Sequence, residues 1–595
     1  MIQASQLIAS QYRNAEINKN VWGDLIYNVK NYGVKGDGVH DDTYAIQKVI
    51  DNTKRGRIVF PQGDYVLSRS GKRNLSFSGL DRWYSLIVLE KQNITFEFEP
   101  GCRFLMDMGE TQFSCGFWVE ESEEISFIGP HFKGHGVKTS LHLEEGVGIS
   151  IDRSKKVNVI SSDFENMRGG ARAYNSSNIY ISRGFSRITR HDYASGHFAL
   201  YQCQESEIEN CTTYGATLDG DIFIYGGGSV NCTLSNCKSY AYEYGDTTRT
   251  IHNLIGHGIL IDSGGRNCKI VNCYVYGHYY GLDIKNGTEG GVIQGSTAEK
   301  CKVGIATRKG EGFSPVNAVS IIGNTVIPNG GNGNNDPLMG SLAGPFGIYI
   351  TDAYGGTICD GNMIYNSIDT TANLDFYGIV VGISDNLFDA DMGAFIISNN
   401  SISLENKNGT QYGSSRKTGI LVTTQYRMVN VSIVGNIFDL PQSGMVDNFI
   451  VAEKVFGLTI SNNTFGVLYT EGKPLIRLNG CVRATINNNN FGVHFGILQV
   501  YDGVGITFNG NMSADSLAGV NVPALLFSNA TNIAINSNVS MIESGQNKDG
   551  EYFSLVNGSN WLVSQGNMLK LANKDSTNWY SSSATNFAIN NNVID

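Results

Sequence analysis

At 595 residues the chain is far longer than one ordinary hydrophobic core supports. Its net charge of −11 argues against nucleic acid, which wants a basic face, and against anionic partners unless positive charge is gathered locally. Glycine is abundant at 71 residues, proline is scarce at 10, and helix-period stretches are few, so a stack of short strands, in which each layer packs only on its neighbours, escapes the size limit.

Residues 1–24 are polar with mixed periodicity and are expected to form a short attachment segment. Residues 25–55 are expected to form a cap. A strand over Ile26–Val29 leads through a Gly-rich turn to a helix begun by Asp41 or Asp42 and running to about Asn52. Tyr44, Ile46, Val49 and Ile50 supply its apolar side. From there a solenoid is expected over 56–595, opening with the strand pair in Gly56–Ser68. Further coils follow at 86–98, 117–127 and 148–160.

The central stretch shows the repeat best. GHFALYQC, GDIFIYGG, GHGILIDS, YGLDIKNG and VGIATRKG are short alternating runs, and their last outward positions are Tyr201, Tyr225, Asp262, Lys285 and Arg308. The steps are 24, 37, 23 and 23 residues, a solenoid period. The long step implies an insertion over about Tyr242–Leu254. Alternation sends Phe198, Leu200, Ile222, Ile224, Ile259, Ile261, Leu282, Ile284 and Ile305 inward. The charged set, with Asp219, Asp221 and Asp283 beside it, then stacks on the outer wall.

Beyond this block, Asn329–Gly347 is rich in Gly and Asn and is expected to project from the body. The coils over 356–595 carry ISNNSI, IVGNIF, ISNNTF, INNNNF, FNGNMS, INSNVS and INNNVI. Their recurring Asn fits a ladder at the bends, where Asn tolerates left-handed geometry. Cys211, Cys237 and Cys273 each follow Asn in equivalent slots, as small apolar side chains inside the stack would. The total of 11 cysteines is odd and no CxxC pair occurs, so neither a zinc site nor a disulfide framework is expected, and no cofactor.

NVKNYGVKGDGVHDDTYAIQKVID followed by IVFPQGDY resembles the entry motif of the pectate-lyase superfamily, which includes polygalacturonases and phage tailspike depolymerases. The resemblance implies an all-β fold, a right-handed parallel β-helix with a short N-terminal capping α-helix. In the centre, LDGDIFIYGG, IGHGILIDSGG and YGLDIKNG are similar to the polygalacturonase order of an acidic pair, a Gly-His-Gly and an Arg-Ile-Lys. By position this implies Asp219 and Asp221 as the acidic pair, His257 as the histidine and Lys285 as the lysine. The chain departs from that pattern: Gly220 splits the pair and Asp283 takes the arginine slot.

Chemistry alone points to the same coils, 190–355. Glycoside hydrolysis needs one carboxyl group to protonate the leaving oxygen and another to activate water or attack. Asp219, Asp221 and Asp262 are the candidates, with His257 tuning the acid. Lys285, Asp283, Arg308, Tyr225, Tyr201, His197 and Glu243 are expected to bind substrate. The expected activity is depolymerisation of a bacterial surface polysaccharide, by hydrolysis rather than β-elimination; a polysaccharide lyase and a non-catalytic glycan adhesin are the rivals. MIQASQLIASQYRNAEI lacks the apolar core of a signal peptide and no run is long enough to span a bilayer. The resemblance to phage tailspikes implies a virion appendage, homotrimeric and docked to other virion proteins, and the absence of a signal peptide favours its release by lysis.

Overall fold

A computed structural model describes residues 25–594 apart from 80, 108–113, 135–145, 168, 188–195, 216–219, 247, 249–255, 311–312, 329–343, 352, 367–374, 383–391, 405–416, 424–427, 440–447, 467–472, 493–495, 514–523, 543–552, 557–558, 572–579, 583–586 and 591. The expected attachment segment 1–24, Asp219, and most of the expected insertion and projecting loop lie outside the described residues. The described residues contain one α-helix, one 3-10 turn and otherwise short strands. They divide into two compact units, Met1–Gly215 and Ala216–Asp595, each a parallel β-helix.

In the first unit each coil lays down three strands, and equivalent strands of successive coils pair in parallel. One sheet runs through Gly56–Phe60, Gln92–Phe98, Glu123–Ile128 and Lys155–Ile160. A second runs through Gly63–Ser68, Cys102–Asp107, His131–Lys133 and Asp163–Glu165. The third runs through Asp81–Leu89, Ser114–Glu120, Val147–Asp152, Gly169–Tyr174 and Phe198–Tyr201. Because the register is one-to-one, identical residues meet inside. Phe96 stacks on Phe127 at 4.7 Å, and Phe60 on Phe98 at 4.8 Å.

The helix spans Thr43–Asn52 and covers the first coil, as expected. Asp41 accepts from the Thr43 amide at 2.9 Å, whereas Asp42 turns back to accept from the amides of Lys35 and Gly36. Ile46, Val49 and Ile50 are buried, but Tyr44, expected beside them, is 72% exposed and lies under Lys48 instead. Gln47 supplies the contact that a bare strand would otherwise seek: its side-chain amide donates to Ile87 O and accepts from Ile87 N, at 2.9 and 2.8 Å. On the strand Asp81–Leu89, which pairs with Ser114–Glu120 on its other side, this side chain takes the place of a strand partner at Ile87.

The second unit repeats the plan, its third sheet running from Ile222–Tyr225 through His257–Asp262, Tyr280–Lys285, Val303–Arg308 and Phe346–Thr351. All nine residues expected inside, two in the first unit and seven here, are fully buried. One slot breaks the alternation. A Cβ on Gly258 would lie 2.8 Å from Gly281 O and 2.9 Å from the His278 ring, so the residue just before the inward Ile259 also faces inward. Glycine at 258, 281 and 304 leaves room for that doubling.

All eleven cysteines are buried free thiols. The asparagine ladder begins earlier than the sequence pattern indicated, at Asn324 and Asn362, and continues through Asn400, Asn436, Asn463, Asn489, Asn511, Asn538, Asn567 and Asn592. The left-handed residue is the one before each ladder Asn from Asn324 to Asn567, such as Asn462 at φ 55° or Gly435 at φ 68°. The ladder Asn itself spends its amide on the next coil. Asn463 accepts from both the backbone and side-chain N–H of Asn436 and donates to Ile433 O and Asn489 Oδ1, all at 2.9–3.0 Å. No helix of the described residues is long and apolar enough to cross a membrane.

Asn463→Ala takes the acceptor from two Asn436 N–H groups and a donor from Ile433 O, while Asn489 Oδ1 keeps the Asn463 amide, so it should cost roughly 3–5 kcal/mol in a urea unfolding series. Asn462→Gly, at a left-handed position that glycine adopts freely, should change the midpoint little.

Candidate functional site

Three adjacent strands of the second unit carry the charged wall. In His257–Asp262, Tyr280–Lys285 and Val303–Arg308, His257 lies beside Tyr280, Leu260 beside Asp283, and Lys285 beside Arg308. Leu282 and Ile284 point inward, which sends Asp283 and Lys285 out. Asp283 is nevertheless fully buried, because its neighbours close over it.

Its Oδ2 lies 3.1 Å from Arg308 Nε and 2.9 Å from His257 Nδ1. Arg308 also folds back across Tyr280, with Cζ 4.0 Å from the ring centre, and its Nη2 reaches His257 Nε2 at 3.2 Å. The imidazole stacks on the other side of the arrangement, 5.1 Å from the Tyr280 ring. A guanidinium can only donate, so Nε2 of His257 holds the lone pair and the ring proton sits on Nδ1, close to Asp283 but not aligned for a hydrogen bond to it. Burial lowers the His257 pKa below its ordinary value against the pull of Asp283, and the ring is neutral. Burial alone would raise the Asp283 pKa; Arg308, His257 and Lys285 outweigh it and hold the carboxyl at about 2. Asp283 Oδ1 has no hydrogen-bond partner among the described residues.

Asp262 and Lys285 form a second pair at the end of the same strands, 3.2 Å apart. Asn286 and Ser263 donate to the other Asp262 oxygen at 2.7 and 3.0 Å. Tyr225 lies next to Asp262 in register. Past Arg308 the outward positions turn apolar, with Phe346, Tyr349, Tyr377 and Val380 all buried.

Two expected site residues lie elsewhere, for one reason. Asp221 occupies the slot opposite Gly258, and its amide bonds both His257 O and Gly258 O. It therefore faces inward, where its carboxylate accepts from Ser239 Oγ at 2.6 Å with His278 3.7 Å away, and all three are buried. His197, in the first unit, sits opposite Gly170 in the same kind of slot. It is fully buried between Ser186 Oγ at 2.7 Å and Gly215 O at 3.0 Å, and burial pushes its pKa down to about 4. Neither side chain offers surface to a glycan.

Tyr201, also in the first unit, stacks on Tyr174 at 4.6 Å and meets Phe77 at 5.1 Å. Glu243 sits in the turn after Tyr242, its carbonyl accepting from the Asp246 amide. Asp219 lies outside the described residues. The expected set thus yields one cluster, His257–Asp283–Arg308, and one pair, Asp262–Lys285. Tyr280, Asn286 and Ser263 complete them. Tyr280 had a signal, an aromatic at the outward position opening GLDIK; Asn286 and Ser263 lie past the strand ends, where alternation says nothing. Among the described residues no group of His, Cys, Asp and Glu is arranged to hold a metal.

Comparison with known proteins follows the fold more than the site. Residues 26–245 match the family model "Rhamnogalacturonase A/epimerase, pectate lyase-like", so the chain carries a pectate lyase-like domain that stops short of His257. A segment of 55 residues is 42% identical to the plasmin and fibronectin-binding protein A of Streptococcus pneumoniae, covering 9% of this chain and 8% of that protein. Among solved structures, the tailspike protein of E. coli bacteriophage HK620 aligns over 89% of this chain and 78% of its own, at 12% identity and TM-score 0.45. ORF18 of Geobacillus virus E2 aligns over 62% and 65%, at 15% identity and TM-score 0.40. The pneumococcal surface adhesin PfbA aligns over 81% and 92%, at 15% and 0.34.

Two outcomes follow. Asp283→Asn leaves Arg308 charged and buried without its counterion and should cost roughly 3–5 kcal/mol in thermal or urea unfolding; adding Arg308→Met should recover most of it. His197 is neutral when folded, so the unfolded chain alone takes up a proton below the ordinary histidine pKa. Stability should be full above about pH 6.5 and fall by about 3 kcal/mol towards pH 4. In His197→Gln that part of the decline should be absent.

Proposed function

We propose that the chain is a glycosidase that depolymerises a bacterial surface polysaccharide, working at the outer wall of the second unit's third sheet. The observation that carries hydrolysis over elimination is the pairing of charge: Lys285 lies 3.2 Å from Asp262 and Arg308 3.1 Å from Asp283. β-Elimination needs a cation to neutralise the uronate carboxylate, and both expected cations already have carboxylate partners. The pectate lyase-like match over 26–245 supports polysaccharide as the substrate class.

On this reading Asp283 stays ionised and positions rather than reacts. It fixes Arg308 and lies beside the His257 imidazole, leaving a rigid donor surface over Tyr280 for a sugar ring. Asp262, held by Lys285 and Asn286 at the rim, acts as the base that activates water. The proton donor comes from the remaining expected carboxyl groups, Asp219 and Glu243. The protein is a virion appendage and assembles as a homotrimer.

Purified capsule, O-antigen and teichoic-acid polymers should be incubated with the protein and followed by gel filtration and reducing-end assay. At least one should shorten, without ultraviolet-absorbing unsaturated ends, and Asp262→Asn should slow this by roughly 10²–10⁴-fold. Unsaturated ends would mean a lyase; intact polymer that stays bound would mean an adhesin.

A further inference from the structure

The first unit carries a second pair of carboxylates, independent of the wall just described. On its third sheet Glu120 and Asp152 lie side by side in register, one coil apart, and Tyr174 then Tyr201 continue the column. Along the next column Trp118 lies beside Ser150. Ile149 and Ile151 face inward, so Ser150 and Asp152 share the outer face. Yet Glu120 is 5% exposed, Trp118, Ser150 and Asp152 0%, and Tyr174 1%.

These groups are unevenly satisfied. Glu120 accepts from Trp118 Nε1 at 3.1 Å and meets Arg153 and Arg73. Asp152 meets Arg153 at 3.1 Å. The hydroxyls of Ser150, two residues before Asp152 on its strand, and of Tyr174, its neighbour in register, are buried with no hydrogen-bond partner among the described residues. A buried hydroxyl left unpaired costs about 1–3 kcal/mol, and two around one carboxylate pair mark a place prepared for polar atoms from elsewhere.

What covers the wall imitates such a guest. The turn Leu75–Gly79 lies over it, with Leu75 and Phe77 packed on the Trp118–Tyr174 cluster. The Ser76 amide donates to Asp152 at 3.3 Å, its hydroxyl donates to the other Asp152 oxygen, and it accepts from Asn175 Nδ2 at 2.6 Å. A hydroxyl that donates to a carboxylate while accepting from an amide makes the contacts a sugar hydroxyl makes.

We infer that Glu120, Asp152, Ser150 and Tyr174, backed by Trp118, form a second site that binds one neutral sugar unit, and that Ser76 occupies it when no sugar is present. The ligand class follows from the donors. Carboxylates only accept, so the guest brings hydroxyl protons; Glu120 and Asp152 already have Arg153 and Arg73 as counterions, so the site calls for hydroxyls rather than for a further charge; and Trp118 supplies an apolar ring face. Displacing the turn costs the Ser76 and Phe77 contacts, so binding is weaker than the site itself allows.

The test is a titration of the full chain with the methyl glycosides of glucose, galactose and mannose, and with galacturonate, followed by calorimetry and saturation-transfer NMR. At least one neutral glycoside should bind and galacturonate should not. Ser150→Ala and Tyr174→Phe should each weaken binding about tenfold while melting at or above the parent temperature, since they delete hydroxyls that have no partner among the described residues. Ser76→Gly should tighten binding severalfold. No binding by any neutral glycoside, even with Ser76→Gly, overturns the site, as does binding unchanged in Ser150→Ala and Tyr174→Phe. Cleavage lost in Asp262→Asn but kept in Tyr174→Phe separates this site from the proposed hydrolytic wall.

Discussion

Everything in these two units answers to parallel one-to-one register between coils. A residue's neighbours along the stack are its counterparts one coil before and after, about 4.8 Å away. Like therefore meets like, which suits phenylalanine faces and asparagine amides and punishes charge. Lys285 beside Arg308 is such a conflict. Each cation is relieved by reaching back to the preceding coil's carboxylate, Lys285 to Asp262 and Arg308 to Asp283. Pairing across coils recurs in the first unit, where Arg57 meets Glu97 of the following coil and Arg103 meets Asp64 of the preceding one. Ion pairs here are first a way to stack unlike coils.

Much of this was legible before any coordinates. Alternation placed Ile222, Ile259, Leu282 and their kin correctly because burial inside a narrow stack leaves no option. The capping helix was legible from its periodicity, and the ladder from seven repeats of one Asn. Tyr44 was misjudged since its apolar character fits either face of a helix end, and only the position of the first coil decides.

Asp221 and His197 were misjudged for a deeper reason. Each stands where other coils have glycine, one residue before the alternating run, and there the backbone points two consecutive residues inward. Extending a period-two pattern through that doubling puts a buried group on the surface. Both residues carry the sign of it in hindsight: Asp221 finds Ser239 and His278, and His197 finds Ser186, polar partners that an apolar interior would provide only if a polar side chain belonged there. The shift of the left-handed residue from the ladder Asn to its predecessor is the same kind of error, one step in register at a bend.

Why chemistry collects on the third sheet follows from strand length. In the second unit the strands of the other two sheets in these coils have three residues, as in Thr233–Ser235 and Tyr274–Tyr276, whereas those of the third have six, as in His257–Asp262 and Val303–Arg308. A three-residue strand with its middle side chain inward shows only its ends, and these flank turns. A six-residue strand shows three outward side chains, and stacked coils turn three into a grid. Such a grid is where a histidine, a carboxylate and an arginine from three coils can converge on one point while Tyr280 fills the floor. In the first unit the six-residue Val147–Asp152 strand sets Ser150 and Asp152 outward between Trp118, Glu120 and Tyr174 in the same manner. Loops then need only cover a wall that the strands have already built.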